Sequence, residues 1–289
     1  MKKVVLVDSC CNLPPDVFDQ YQESLSMISM PVHIGNMDFL DDHGKTMSHK
    51  DFYDALRQGN LPKTSQITPT HFYDYFEKLY LEGKEILYIS FSSGMSGTYS
   101  NSVIARDMFL EDHPDAVILL VDSHAASVGY GALVLKALES LETLSLEAIA
   151  DAVERERFNV HHVFSVSDLM FLKNGGRIPP ALATVGTLLN LKPIMDIDLA
   201  GRLRQKNKVR GKSKLYQHFI AVIKDRYLPE KSAIHIGHGD CEADARELAD
   251  LIEKTLGYDQ IIINPESPTI GSHVGPGMLV VSFLGNERA

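Results

Sequence analysis

Apolar positions in the first half of the chain fall into short solid runs separated by longer stretches with helical spacing. Residues 4–7, 85–91 and 115–123 carry such runs, the pattern of strands buried on both faces. Between and after them, Phe72, Phe76 and Leu79, then Leu133, Val134, Ala137, Leu138 and Leu141, recur as on one face of a helix. A further strand over 26–34 and a short helix over 47–56 fit the same rhythm. Strand and helix alternate to about residue 144, which predicts a parallel, Rossmann-like sheet with crossover helices and its loops gathered at one edge.

Beyond a charged helix over 147–157 the pattern changes. Residues 161–167 form a predicted strand, 169–172 a helical turn and 173–177 a flexible basic loop. Pro179-Pro180 opens a helix carrying Leu182, Val185, Leu188 and Leu189. Strands over 192–198 and 203–209 flank a hairpin turn, and further strands over 233–237, 260–264 and 278–283 are interleaved with helices over 212–227 and 242–256. The expectation is a two-domain α/β chain: a parallel α/β domain over 1–158 and an α+β domain with a mixed sheet over 159–289.

Three loops concentrate the candidate chemistry. Ser92-Ser93-Gly94-Met95-Ser96-Gly97-Thr98 joins a strand to a helix, so glycine-freed backbone donors, hydroxyls and the helix dipole converge where an anion would sit. Turn and capping chemistry alone would use the same residues. The loop fails two catalytic templates: a nucleophile elbow needs glycine where Thr98 stands, and a P-loop needs a lysine. A second hydroxyl loop, Lys63-Thr64-Ser65-Gln66, lies just ahead of a helix start at Thr68-Pro69, and a glycine-rich loop over 271–277 carries His273.

Composition narrows the classes of function. Hydrophobic residues make up 44% and charged residues 23%, as in an ordinary soluble protein of 289 residues. A formal net charge of −10 argues against nucleic-acid binding, which needs a basic face. The first apolar run stops at Asp8, which suits a strand better than a signal peptide, and no stretch reaches the length of a membrane span. Three cysteines without Cys-x-x-Cys spacing suit a reducing, cytoplasmic setting, with Cys10 and Cys11 as small buried residues. His161-His162 and the pair His235 and His238 do not converge on one ion, so no metal is expected.

The chain resembles the DegV family of bacterial fatty-acid-binding proteins, the acyl-carrying subunits of a two-component fatty acid kinase. The resemblance runs nearly end to end, through Val7-Asp8-Ser9, Thr64-Ser65-Gln66, Ser92 to Tyr99, Asp122-Ser123, Gly175-Gly176-Arg177, Leu191-Lys192-Pro193-Ile194, Lys208-Val209-Arg210 and Gly271-Ser272-His273 with Gly275-Pro276-Gly277. It implies a long-chain fatty acid in an interdomain tunnel, its carboxylate held by Thr64 and Ser96, with Ser65, Ser93, Gly97 and His273 completing the site. It also implies that Arg177 and Arg210 lie around the carboxylate or the face met by a separate kinase subunit. That kinase holds the ATP and metal and forms an acyl phosphate, so this chain needs no cofactor and has no catalytic residue.

Two positions depart from the family pattern: Cys10 stands where a threonine is usual after Asp8-Ser9, and Gly211 where a threonine follows Arg210. The competing class is a hydrolase or phosphatase using Ser96 or Cys10 with His273 as base. The helix over 179–189, preceded by Gly175-Gly176 and interrupted by Gly186, fits either a plain core helix or a lid over the acyl chain. An open lid would bring Lys173 and Arg177 to a membrane surface in transient contact.

Overall fold

The computed structural model describes residues 2–183 and 190–288. The first part runs β1 (Lys2–Asp8), α1 (Pro15–Gln20), β2 (Leu25–Ile28), β3 (Pro31–Ile34), β4 (Met37–Leu40), α2 (His49–Arg57), β5 (Pro62–Thr64), α3 (Pro69–Leu81), β6 (Lys84–Ser90), α4 (Thr98–Asp112), β7 (Ile118–Asp122), α5 (Ser127–Glu139) and α6 (Leu146–Glu156). The second runs β8 (Val160–Ser165), α7 (Leu169–Asn174), α8 (Pro180–Ala183), β9 (Leu191–Ile197), β10 (Leu203–Arg210), α9 (Lys212–Arg226), β11 (Ile234–His238), α10 (Glu242–Leu256), β12 (Ile261–Pro265), α11 (Pro268–Val274) and β13 (Leu279–Leu284).

Strand order β2-β1-β6-β7 makes an all-parallel sheet, and β10-β9-β8-β13-β11-β12 a mixed one in which only β11 and β12 run parallel. The last five residues of both β1 and β6 are buried, which is why those strands appear as unbroken apolar runs. Helix starts follow local capping chemistry: Ser48, Thr68 and Ser145 each accept a hydrogen bond from a backbone N–H in the first turn. One continuous apolar core includes Val5 and Leu87 from the first sheet and Phe164 and Val280 from the second. A separate core fills the far face of the mixed sheet under α9 and α10.

Three expectations need correcting. The single strand over 26–34 is two strands in different sheets: β2 pairs with β1, whereas β3 centres a small antiparallel sheet ordered β4-β3-β5. The chain turns between them because Met30 gives its N–H to Ser9 Oγ at 3.0 Å and Pro31 has none to give. The loop over 271–277 is largely helix α11, which ends at Gly275 with φ of 70°. Its Gly271 serves close packing rather than flexibility, since a Cβ there would lie 2.7 Å from the Tyr53 hydroxyl. Lys173 and Asn174 close α7, so the basic loop is shorter than expected and turns at Gly176, φ 72°. Of the lid candidate, α8 is described; Val185, Gly186, Leu188 and Leu189 lie outside the described residues.

The hydroxyl loop after β6 docks directly on the β9–β10 hairpin. Ser92 Oγ donates to the Gly201 carbonyl at 2.8 Å, and a Cβ on Gly94 would lie 2.5 Å from the Ala200 carbonyl oxygen. Backbone cannot yield as a flexible side chain does, so Gly94→Ala should destabilise the fold by about 1–3 kcal/mol. A shift in urea midpoint at unchanged slope checks this; an unaltered midpoint would show that the hairpin gives way freely.

Candidate ligand site between the two sheets

Between the sheets lies a cavity of about 70 Å³. Phe91, Met95, Phe164, Leu172, Ile197, Leu203, Ile270, Val274, Met278 and Val280 make most of its wall. Thr64, Ser96, Arg177 and His273 bring polar groups to it from four separate places in the chain. A broader groove shares Met95, Arg177 and Leu203 with the cavity and adds Lys173, Asp198, Arg202 and Arg204, so Arg177 lies where cavity and groove meet.

Each polar group is positioned by its element. Thr64 ends β5, where pairing with Val32 fixes its direction, and its hydroxyl lies 2.8 Å from His273 Nε2. His273 rides on α11 with its ring against Gly175, where any Cβ would overlap the ring. Burial, aided by the neighbouring Arg177 charge, pushes the His273 pKa down to about 3, so the imidazole is neutral and its Nδ1 has no partner. Ser96 Oγ accepts from Thr98 N–H at 3.2 Å and lies 2.9 Å from Thr98 Oγ1, holding the hydroxyl at the start of α4.

Arg177 is half-buried and among the described residues bonds backbone carbonyls, Nε to Met95 at 3.1 Å and an Nη to Gly175. Among the described residues no carboxylate pairs with it, and burial pulls its pKa below the ordinary arginine value. A guanidinium stays charged even so. The cavity therefore has one apolar body and one cationic, donor-rich end.

The other expected residues fall outside this wall. Ser65 and Ser93 are exposed; Ser65 gives its N–H to the Pro31 carbonyl and Ser93 gives its own to Asp122 Oδ1. Gly97 is exposed beside Gln66, and Arg210 is exposed at the end of β10, paired in register with Leu191. Cys10 reaches the cavity, but its thiol faces Met30 Sδ at 3.2 Å and burial raises its pKa well above the usual thiol range. His273 bonds Thr64 and is not hydrogen-bonded to Ser96 or Cys10, the two nucleophiles considered for a hydrolase.

Sequence reasoning missed the supports behind the wall. Asp41 Oδ2 accepts from Thr269 N–H at 2.8 Å and from its hydroxyl at 2.6 Å, anchoring α11. Ser127, a cavity residue held at φ 55°, donates its hydroxyl to Glu266 Oε1. These pairs join positions 228 and 139 residues apart, and no local motif marks them.

Fold and site define a class: a two-sheet α/β protein with an apolar interior cavity closed by a cationic, hydroxyl-bearing end. The chain belongs to the DegV family, whose model, described as an uncharacterised protein of that family, matches residues 2–286. A DegV domain-containing protein of Clostridium perfringens is 36% identical over 291 aligned residues, covering 100% of this chain and 99% of the relative. Among solved structures, a DegV lipid-binding protein from Thermotoga maritima superposes with a TM-score of 0.84 at 27% identity, covering 100% of both chains. The fatty-acid-binding DegV family protein from Thermus thermophilus matches with a TM-score of 0.81 at 28% identity, over 98% of this chain and 100% of its own.

Glu266 makes the site region sensitive to pH. Complete burial, only partly offset by the Ser127 hydrogen bond, raises its pKa from 4.5 to about 7. The folded protein therefore keeps a proton that the unfolded chain releases, and stability falls as pH rises from about 4.5 to about 7. Glu266→Gln should remove that slope and be more stable than wild type by about 1–3 kcal/mol above neutrality, with little difference in acid. Urea titrations across that range check it; parallel wild-type and variant profiles would exclude a neutral Glu266.

Proposed function

We propose that this chain binds one long-chain fatty acid, its carboxylate at Arg177 with Thr64, Ser96 and His273, and its tail along the apolar wall. The observation that carries this reading is Arg177: a charged group in the wall of an apolar cavity, bonded to carbonyl oxygens and lacking an acidic partner among the described residues. A ligand carboxylate supplies the missing charge, while neutral His273 and the hydroxyls of Thr64 and Ser96 add donors without a second cation to desolvate. Affinity comes mainly from the tail, at ~0.8 kcal/mol per buried CH₂. The relatives named for lipid and fatty-acid binding support the same ligand class.

On this reading the chain is a carrier, and a separate ATP-dependent kinase subunit in the cytoplasm converts the carboxylate into an acyl phosphate. The groove with Lys173, Arg202 and Arg204 beside Arg177 is the face that supports such a partner, because the carboxyl end of the ligand is reached from there. Membrane contact through the segment over 179–189 is a further proposal resting on the apolar side chains of that stretch. No helix among the described residues is long and apolar enough to cross a membrane.

Mass spectrometry of the purified, denatured protein should show a co-purifying fatty acid. Arg177→Gln should weaken binding about 10- to 100-fold, the loss of one charge-assisted interaction. Thr64→Ala should lose less, because it removes a neutral donor. A folded Arg177→Gln protein with wild-type affinity would sink the carboxylate assignment, and absence of acyl ligand together with no binding to delipidated protein would sink the ligand class.

A further inference from the structure

One side chain on the otherwise apolar sheet wall is polar. His162, on β8 two residues before Phe164, lines the cavity and is only 4% exposed. Its ring occupies a seat made for it. Nδ1 lies 2.8 Å from Ser282 Oγ, and the ring packs on Gly129 of α5, where any Cβ would collide with it. Nε2 is buried and has no partner.

Strand pairing ends beside this polar group. β8 pairs with β9 only at Val163 and Phe164, so the two strands part at His162. A second hollow opens there, sharing His162 and Ile197 with the cavity and lined further by Asp196, Arg204 and Arg288. The imidazole thus stands between the apolar cavity and a hollow of mixed lining. Burial holds its pKa well below the ordinary histidine range, so it offers a neutral donor or acceptor and not a charge.

A saturated chain passing His162 leaves Nε2 unsatisfied, and an unmade hydrogen bond in a dry site is costly. A hydroxyl can answer either tautomer, since it both donates and accepts. A cis double bond offers only a weak contact to an N–H. We propose that His162 selects acyl chains bearing a hydroxyl group along the tail, which pairs with Nε2 while the carboxylate sits at Arg177. This deepens the fatty-acid reading and rests on it.

The test compares delipidated full-length protein binding octadecanoic acid, cis-octadecenoic acid and a positional series of monohydroxyoctadecanoic acids. At least one hydroxy isomer should bind the wild type about five- to tenfold tighter than octadecanoic acid. His162→Leu should abolish that advantage and bind octadecanoic acid at least as well as wild type does. The proposal is overturned if no hydroxy isomer is preferred by wild type, if cis-octadecenoic acid exceeds them all, or if the preference persists in folded His162→Leu. The wild-type series decides the matter even if the variant fails to fold. Failure of all the acids to bind wild type would instead bring down the fatty-acid reading, and this proposal with it.

Discussion

Both sheets depend on helix α5. Every residue from Ser127 to Val134 is buried, because the helix packs on β1 on one side and on β8, β11 and β13 on the other. A helix covered all round must be small where backbone or rings approach it, and α5 has Gly129 against the His162 ring and Gly131 against the Asn12 carbonyl. It thereby welds the two sheets into one core and holds the cavity walls at a set separation. Its first turn supplies part of the wall as well, through Ser127.

The distribution of charge around the cavity follows from that burial. Asp8 is wholly buried at the end of β1 and accepts from Phe91 N–H and the Tyr88 hydroxyl, both at 2.8 Å, and from Cys10 N–H at 3.0 Å. Burial nevertheless outweighs these bonds and raises its pKa to about 6. Glu266 has fewer donors and rises further, to about 7. Asp41 is tied to Thr269. These carboxyls are thus bonded elsewhere or partly neutralised by a proton, and among the described residues none pairs with Arg177. Under the proposed function, head-group recognition is this charge imbalance, and the length of apolar wall beyond it supplies most of the affinity.

Under the proposed function, the same geometry suits a holder of carboxylates. His273 is fixed against Thr64, Ser96 is bonded to Thr98, and Cys10 is a buried thiol beside a thioether. Such groups bind and orient. Under the proposed function, chemistry at the carboxylate is supplied by a partner reaching the groove beside Arg177.

Much of this was legible in the amino-acid order. Solid apolar runs located β1, β6 and β7, because a parallel strand buried on both faces needs no alternation. Thr68-Pro69 announced the start of α3, and the serine–glycine loop announced the sheet edge where Ser96 meets the cavity. Short β4 and β5 escaped, and β3 was merged with β2, because their burial is patchy and their pairing is to another small sheet. Glycines over 271–277 suggested a loop, yet Gly271 belongs to a helix pressed against Phe52 and Tyr53. Periodicity reports that a face is buried, not what covers it. The union of Thr64 with His273 across 209 residues, the isolation of Arg177 from acids and the seating of His162 on Gly129 were decided only when the two sheets closed on α5. Contacts of that range depend on packing geometry that no local pattern encodes.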